Sequence, residues 1–291
     1  MEFLQPATWG EALEAKAAHP EARPIFGGTD IMVEMNFDRT RPDTVIDLTR
    51  VEEIKDWSGE NGDLRVGAGV TYTEITSELG DALPGLAMAS QTVGSPQIRN
   101  RGTVGGNLGT SSPAGDALPP LYASDATVEV ASSARGTRLI PVADFITGPK
   151  RNALAPDELI AAFCIPRADG PQQYSKIGPR NAMVIAVCSL GLALYPKTGK
   201  VSACIGSAGP TPIRAAEAES FIEGVIEEAD LFQSRSGIDE TALRRFGELV
   251  AAAARPIDDV RGTAEYRRHA VGVLARRTLS WAWEEYRQER A

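Results

Sequence analysis

The order of apolar and polar positions in the first 50 residues predicts strand, helix, strand, helix and strand. Thr8 and Glu11 form a T-x-x-E capping box, which predicts a helix start followed by a helix to about residue 18. The later elements of this region are a strand over 24–26, a helix over 31–37 and a strand over 44–48. This pattern indicates a small βαβ-like layer with a glycine-rich turn between a strand and a helix.

The rest of the chain alternates short strands and helices and predicts an α+β protein. The predicted strands lie at 65–68, 127–131, 158–165, 174–177, 184–195 and 201–208, and the helices at 72–79, 84–91, 117–123 and, last and amphipathic, 264–289. Residues 167–172 contain Pro, Gly, Asp and Gln and few apolar side chains, which marks a boundary. The predicted domains are 1–170, with subdomains of about 1–55 and 56–170, and 171–291.

Composition narrows the class of protein. The 291 residues are 43% hydrophobic, which can supply a real core, and the net charge of −9 argues against a non-specific nucleic-acid or anionic-membrane surface. The longest nearly apolar run, 184–195, is well short of the roughly 20 residues that a membrane-spanning helix needs. The N-terminus lacks the basic start and apolar run of a signal peptide, so we expect a cytoplasmic protein.

Metal and disulfide sites lack suitable residues in this sequence. Cys164, Cys188 and Cys204 are far apart in strand-like contexts, and the only histidines are His19 and His269. Neither a disulfide framework nor a zinc or iron–sulfur site is therefore expected in this chain.

Residues 102–116 combine five glycines, four hydroxyl side chains and one carboxylate in a predicted loop. Glycines let the backbone approach an anion closely, and the loop has the composition of a cradle for a phosphorylated cofactor. The spacing matches neither G-x-x-x-x-G-K-[ST] nor G-x-G-x-x-G. A second glycine-rich turn, over 26–30, could serve only as a strand-to-helix connection. Taken together, the two amide-rich turns favour a dinucleotide, because a diphosphate group needs donors from two directions.

Several polar residues near these turns have two interpretations. Asp116 could cap the following helix, or could accept hydrogen bonds from ribityl, ribose or ring groups, since a carboxylate would be repelled by phosphates. Lys176 and Arg180 could be surface charges at a strand end. Alternatively, they could be cations near a ring that becomes anionic on reduction.

The sequence resembles the FAD-binding medium subunit of the molybdenum hydroxylases, the family of the bacterial xanthine, carbon monoxide, nicotine and caffeine dehydrogenases. The resemblance runs in order over nearly the whole chain and is most specific in the block I-R-N-x-G-x-x-G-G-N followed by P-A-G-D. The matching motifs are GGTD at 27–30, IRNRGTVGGNL at 98–108, SPAGD at 112–116, YSK at 174–176 with Arg180, and RGTAEYRR at 261–268.

The resemblance implies an α+β fold with an FAD-binding domain of two subdomains, similar to that of vanillyl-alcohol oxidase, and a C-terminal α+β domain of the carbon monoxide dehydrogenase flavoprotein type. It implies an oxidoreductase subunit that carries FAD and has no catalytic acid, base or nucleophile of its own. The implied partners are a large molybdenum-binding subunit and a small subunit with two [2Fe–2S] clusters, arranged as a dimer of heterotrimers. Electrons would pass from the [2Fe–2S] subunit to this chain and then to an external acceptor.

The resemblance also implies cofactor-binding residues. The segments 26–30 and 103–107 would cradle the pyrophosphate with Thr110 nearby, Asp116 would contact the ribityl or flavin part, Ile160 and Lys176 would flank the flavin, and Tyr174 would screen one ring face. The full predicted set is Phe26, Gly27, Gly28, Thr29, Asp30, Thr103, Val104, Gly105, Gly106, Asn107, Thr110, Asp116, Ile160, Tyr174 and Lys176.

Two features distinguish this chain within the family, and the second disfavours its benzoyl-CoA reductase branch. The position that covers the isoalloxazine in relatives is here Gly109, which has no side chain to pack on the ring. The benzoyl-CoA reductase branch carries a cysteine-ligated cluster in this subunit, and the cysteines for it are missing here. Two alternative functions stay open: a self-standing FAD-dependent reductase of similar fold, and a non-catalytic nucleotide-binding module.

Overall fold

The computed structural model describes residues 1–60 and 62–288. The strands are β1 (Glu2–Leu4), β2 (Arg23–Ile25), β3 (Thr44–Asp47), β4 (Trp57–Glu60), β5 (Asp63–Gly67), β6 (Thr127–Ser132), β7 (Gly136–Pro141), β8 (Ile146–Gly148), β9 (Arg151–Asn152), β10 (Leu159–Pro166), β11 (Gln172–Ile177), β12 (Cys188–Tyr195), β13 (Lys200–Gly206) and β14 (Ile213–Arg214). The helices are α1 (Trp9–Ala18), α2 (Ile31–Asn36), α3 (Tyr72–Glu78), α4 (Pro84–Gln91), α5 (Pro96–Arg99), α6 (Val104–Thr110), α7 (Leu118–Ala123), α8 (Val142–Phe145), α9 (Ala216–Glu228), α10 (Leu231–Ser234), α11 (Glu240–Ala253) and α12 (Ala264–Gln288), with a short 3-10 helix over Glu52–Ile54.

These elements form two compact units. Unit 1 consists of Met1–Ile75, Gly94–Ser112 and Asp125–Pro166. Unit 2 consists of Thr76–Val93, Pro113–Ser124 and the described residues from Arg167 onward. The predicted domain division at residue 170, and the subdomain division near residue 55, stay predictions.

The first sheet of unit 1 is the βαβ-like layer that the sequence predicts. Strand β3 lies in the middle and pairs in parallel with β1 and with β2. The capping box forms as predicted, because the Thr8 hydroxyl accepts from Glu11 N and the Glu11 carboxylate accepts from Thr8 N. Behind the sheet, a small apolar core includes Ala12 from α1 and Ile46 from β3.

The second sheet of unit 1 is antiparallel, in the order β4-β5-β10-β6-β7. Strand β10 lies at its centre and pairs with β5 and β6, and the register with β6 shifts between Ile160 and Ala162. Such an irregularity bends a strand and redirects a side chain. The extra residue at this shift is Ala161, which directly follows Ile160, one of the predicted site residues.

Unit 2 is built on an antiparallel sheet in the order β11-β12-β13-β14. Every residue of β12 up to Leu194 is buried, which indicates that both faces of the strand are covered. Apolar residues of β12 and β13 join those of α9, α11 and α12 in one core cluster. At Gly191 a Cβ would lie 2.6 Å from the Pro119 carbonyl carbon, so helix α7 packs directly on β12 at that point.

Two details differ from the predicted elements, and one predicted boundary is not tested. Residues 104–110 form helix α6 inside the predicted loop over 102–116. The strand predicted from residue 184 begins at Cys188, five residues after Met183, whose backbone is left-handed (φ +50°). The end of the last helix predicted at Glu289 lies outside the described residues.

Two absences apply to the part of the chain that the structure describes. Within residues 1–60 and 62–288, no helix combines the length and apolarity needed to cross a bilayer. The same residues hold no group of three or more His, Cys, Asp or Glu side chains placed to bind a metal ion.

Candidate functional site

A cavity of about 310 Å³ lies in unit 1, beside both glycine-rich segments. Its volume is at the lower end of the range of about 300–1,000 Å³ that ligand pockets occupy. The predicted site residues that line it are Phe26, Thr103, Gly105, Gly106, Thr110 and Ile160. The cavity therefore brings together residues from β10 and from two segments that are far apart in the sequence.

The first glycine-rich turn follows strand β2 at one side of the cavity. Phe26 lines the cavity and so does Ile31, the first residue of α2, whereas the four turn residues between them are not part of the lining. Gly27 is packed so tightly that a Cβ would lie only 2.0 Å from the Arg101 carbonyl oxygen. Gly28 has a φ of +72°, which glycine adopts without strain.

The remaining two predicted residues of this turn are Thr29 and Asp30. Thr29 is half-buried and Asp30 is exposed. Asp30 occupies the N-cap position of α2, where its side chain makes no capping hydrogen bond and its carbonyl accepts from Val33 N and Glu34 N. The predicted contact of either side chain with a cofactor stays a prediction.

The second glycine-rich segment is helix α6. The Thr103 hydroxyl caps it by accepting from Gly106 N at 2.9 Å. Val104 and Leu108 are completely buried, which anchors the helix despite the low helix propensity of glycine. The side chain of Val104 thus belongs to the core, and only its backbone is available to a ligand.

Gly105 and Gly106 of α6 differ in how much space a side chain would have. A Cβ at Gly105 would lie 2.5 Å from the Ala68 carbonyl oxygen, so this glycine allows the helix to contact the neighbouring backbone. Gly106 is exposed, and a Cβ there would meet only Thr103 Oγ1, at 3.2 Å.

Asn107, the next residue of α6, carries a buried side-chain oxygen that has no hydrogen-bond partner. A buried polar atom without a partner is costly, so Asn107 Oδ1 is an acceptor that still lacks a donor.

Gly109 lies at the end of α6 and also lines the cavity. Its carbonyl oxygen accepts from Asn152 Nδ2 at 3.1 Å, and the same amide donates to Ser111 Oγ at 3.2 Å. A Cβ at Gly109 would lie 3.7 Å from Ile160 Cδ1. The apolar side chain nearest to this open position is therefore that of Ile160 on β10.

The cavity wall also contains polar residues that no sequence motif predicts. Lys16, Arg23, Asn152 and Glu158 line it. They lie on α1, β2, β9 and beside β10, and a single sequence contains no signal that places these segments together.

Lys16 and Glu158 are held by contacts within unit 1. The ammonium of buried Lys16 donates to the carbonyl oxygens of Pro20 and Ala22, both at 2.7 Å, and burial lowers the pKa of Lys16. Glu158 accepts two hydrogen bonds from Arg138, each 2.8 Å, which lower the pKa of Glu158 to about 2. This carboxylate is therefore neutralised by a cation and does not present a free negative charge to a phosphorylated ligand.

The other three predicted residues form a buried polar cluster in unit 2. Lys176 Nζ lies 2.6 Å from one carboxylate oxygen of Asp116, and Tyr174 OH donates to the other oxygen at 2.8 Å. Lys176 also donates to the Thr92 carbonyl oxygen at 3.1 Å. Burial raises the pKa of Asp116 against the lowering effect of Lys176, and burial also raises that of Tyr174.

This cluster corrects one interpretation of Asp116. The N-cap position of α7 is occupied by Ala117, and no side chain caps the helix. Asp116 therefore does not start α7, because its carboxylate is engaged by Lys176 and Tyr174 instead. Arg180, the second cation of the motif, is exposed and donates to the carbonyl oxygens of Ala182 and Met183.

The two groups of residues differ in what they can do chemically. The cavity of unit 1 joins Thr103, Gly105 and Gly106 of the second glycine-rich segment with the apolar side chains of Phe26 and Ile160. That combination suits a ligand with a hydrogen-bonding anionic part and a flat apolar part. The cluster of unit 2 is internally hydrogen-bonded, so its charges largely compensate each other.

Comparison with known proteins agrees with this arrangement. Residues 1–168 match the FAD-binding domain in molybdopterin dehydrogenase, and residues 173–282 match the carbon monoxide dehydrogenase flavoprotein C-terminal domain. The chain is 35% identical to the nicotinate dehydrogenase FAD-subunit of Eubacterium barkeri, over 77% of this chain and 79% of that one. It is 28% identical to the xanthine dehydrogenase FAD-binding subunit of Escherichia coli O157:H7, over 96% and 95%.

The solved structures give the same result for the fold. A carbon monoxide dehydrogenase structure from Oligotropha carboxidovorans superposes with a TM-score of 0.86 at 26% identity, covering 98% of each chain. The predicted α+β fold, with an FAD-binding domain followed by a C-terminal domain of the flavoprotein type, is confirmed. The chain therefore belongs to the family of FAD-binding subunits of molybdenum-containing dehydrogenases, which are oxidoreductases with FAD as the cofactor of this subunit.

Proposed function

We propose that this chain is the electron-transfer subunit of a heterotrimeric molybdenum hydroxylase. In this role it receives electrons from a [2Fe–2S] partner subunit and passes them to an external acceptor. FAD, when bound, supplies a redox group that exchanges electrons singly or in pairs. The work of this chain is to hold that group, orient it and shield it from water.

The observation that carries the proposal is the cavity shared by both glycine-rich segments. Phe26 lies at the start of the first segment, and Gly106 lies in the second, yet both line the same space. A dinucleotide needs donors to its diphosphate from more than one direction, and two segments on one cavity supply them. We assign the pyrophosphate to 26–30 and 103–107, with Thr110 beside it.

The residues present fit FAD at two points that a merely structural role leaves unexplained. Asn107 Oδ1 is a buried acceptor without a partner, which a hydroxyl of the cofactor would satisfy. Gly106 leaves its side-chain position open, so a phosphate could approach the backbone there.

The flavin part has fewer supporting contacts. Ile160 lies beside Gly109 in the cavity wall and offers an apolar surface for a ring. The flavin contacts that family membership implies for Asp116, Tyr174 and Lys176 stay predictions. The buried and strongly hydrogen-bonded state of these three side chains means that they would present a fixed, nearly neutral polar group rather than a free cation.

The partner subunits are part of the proposal. The relatives include chains named as the medium chain of a glyceraldehyde dehydrogenase and the medium subunit of a nicotine 6-hydroxylase. By analogy, we propose a large molybdenum-binding subunit and a small [2Fe–2S] subunit as partners, in a dimer of heterotrimers located in the cytoplasm. The molybdenum subunit would then determine the substrate specificity of the enzyme.

Flavin content tests the proposal directly. The tagged full chain, purified from its native host, is expected to be yellow, to release FAD on denaturation, and to lose its flavin absorbance reversibly with dithionite. Copurifying chains are expected to contain molybdenum and iron. Folded protein that holds no flavin and takes up no added FAD would refute the proposal, and turnover of a substrate with NADPH by this chain alone would favour a self-standing reductase.

A further inference from the structure

Two buried polar residues interrupt the apolar face that helix α12 packs against the sheet of unit 2. Among the buried residues of α12 that the structure describes, all are apolar or aromatic except Arg267 and Thr278. They are 2% and 0% exposed. Buried polar pairs are often no more stable than well-packed apolar side chains of the same shape. These two positions therefore need an explanation other than stability.

Thr278 contacts the strand that carries two members of the buried polar cluster. Its hydroxyl donates to Ser175 Oγ at 2.7 Å, and Ser175 lies between Tyr174 and Lys176 on β11. Successive side chains of a strand point to opposite faces, so Ser175 faces α12 while its two neighbours face Asp116. Strand β11 is at the edge of its sheet. The hydrogen bond from Thr278 therefore holds this edge strand from the face opposite to the cluster.

Arg267 is connected to the loop that carries the third member of the cluster. Its guanidinium donates to the Ser207 carbonyl oxygen at 2.8 Å and forms an ion pair with Asp259. The backbone N–H of Ser207 in turn donates to the Pro113 carbonyl oxygen at 2.9 Å. Pro113 lies three residues before Asp116 in the sequence. Two consecutive hydrogen bonds thus link α12 to the loop that ends at Asp116.

We propose that Arg267 and Thr278 are positioning residues for the buried polar cluster of unit 2. Thr278 fixes the strand half of the cluster and Arg267 fixes the half that lies on the loop. A single helix thereby sets the distance between Lys176 and Asp116, which are in contact at 2.6 Å. This assignment gives a role to the RGTAEYRR motif at 261–268, which the proposed function leaves without one.

The inference rests on the proposed function, in which the cluster contacts the flavin. The protein around a bound flavin tunes its electronics through nearby charges and hydrogen bonds. Because reduction makes the ring more negative, the position of the Lys176 ammonium affects how readily the flavin is reduced. A displacement of β11 or of the loop would loosen the contact that holds this ammonium in place.

The test compares two substitutions at Thr278 that remove different parts of the side chain. T278V keeps the shape but removes the hydroxyl that bonds Ser175, whereas T278S keeps the hydroxyl and removes the methyl group. Full-length chains are loaded with FAD, and the midpoint potential of the flavin is measured by equilibration with a reference dye. We expect T278V to make two-electron reduction about threefold to tenfold less favourable, a shift of up to about 30 mV, and T278S to match the wild type.

Three further variants complete the comparison. Lys176→Met removes the cation itself and should make reduction at least about tenfold less favourable. R267K keeps the positive charge but loses the planar guanidinium, so it should shift the potential in the same direction as T278V. The matched control is Ser202→Ala, which removes a buried hydroxyl of the same sheet that accepts from Arg214 at 2.9 Å. The control should keep the wild-type potential.

Each other result has a distinct meaning. A wild-type potential in folded T278V and R267K, together with a shift in Lys176→Met, would overturn the positioning role alone. A shift in T278S as large as that in T278V would assign the effect to packing and would also overturn it.

Two results would instead remove the basis of the inference. No shift in Lys176→Met with FAD retained would show that the cluster does not act on the flavin. Wild-type chain that takes up no FAD would overturn the proposed function. Circular dichroism spectra identify any variant that has failed to fold, and Ser175→Ala, which removes the same hydrogen bond from the strand, then replaces T278V.

Discussion

Gly27 and Gly105 differ from Gly106 and Gly109 in what surrounds their missing side chains. A Cβ at Gly27 or Gly105 would lie 2.0 or 2.5 Å from a backbone carbonyl oxygen of another segment. At Gly106 and Gly109 the nearest atoms are 3.2 and 3.7 Å away and belong to side chains. The first pair lets the protein pack on itself, and the second pair leaves the cavity open.

This difference shows that glycines occur in these segments for two physical reasons. Some allow two backbone segments to pack closely, and others leave space for the cavity. Two segments that approach through glycine fix the positions of Arg101 and Ala68 relative to the turns. The cavity then forms beside glycines that the packing does not need. Stability and cofactor binding should therefore respond to different glycines of the same motif.

The largest expected effect is on stability. Gly27→Ala and Gly105→Ala each force a methyl group into a backbone carbonyl, which should lower the free energy of unfolding by more than about 3 kcal/mol. Gly109→Ala should instead raise it by up to about 1 kcal/mol, since alanine is the better helix former and its methyl group has space. Urea denaturation of the FAD-free proteins measures all three. Equal free energies of unfolding for Gly27→Ala and Gly109→Ala would contradict the distinction between the two pairs of glycines.

A smaller effect on stability is expected from Glu158, which lines the cavity. This residue contributes through its side chain and not through its backbone. Its pKa of about 2 lies below the ordinary value of 4.5, so its contribution to stability is full above pH 4.5 and disappears as the pH falls to about 2. Glu158→Gln should cost about 1 kcal/mol at pH 7, a modest value because Arg138 is half exposed.

The measurement is thermal unfolding of the wild type and Glu158→Gln at intervals from pH 7 to pH 2. Their difference in stability is expected to shrink between pH 4.5 and pH 2. Glu248→Gln, which removes an exposed pair with Arg245, serves as the control and should show a difference close to zero at every pH. A constant difference for Glu158→Gln would show that its bonds to Arg138 do not depend on the charge of the carboxylate.

The sequence predicted the first layer of the fold well because its signals are local. The Thr8 and Glu11 capping box, the short strand ahead of Gly27 and the apolar strand over Thr44–Asp47 each depend on neighbouring residues. Helix α6 could not be predicted in this way. Three of its seven residues are glycine, and its stability comes from the burial of Val104 and Leu108 against distant segments.

The sequence predicted the candidate site only where residues of the glycine-rich segment over 102–116 themselves line the cavity. Thr103, Gly106 and Thr110 line the cavity, as expected for a cofactor loop. Lys16 and Asn152 also line it, but they come from α1 and β9, whose position depends on the tertiary fold. The pairing of Asp116 with Lys176 was likewise hidden, because the two residues lie 60 positions apart.

The binding of FAD by the wild type and by Gly106→Val tests the central claim most directly. Valine at this position should leave the fold intact, because only Thr103 Oγ1 lies near, but should place a branched side chain where a phosphate meets the backbone. Flavin fluorescence titration of the FAD-free proteins is expected to give one FAD per chain for the wild type. For Gly106→Val, with an unchanged circular dichroism spectrum, FAD affinity should be at least about 100-fold lower. Equal FAD affinity and stoichiometry in the two proteins would contradict the assignment of this cavity to FAD.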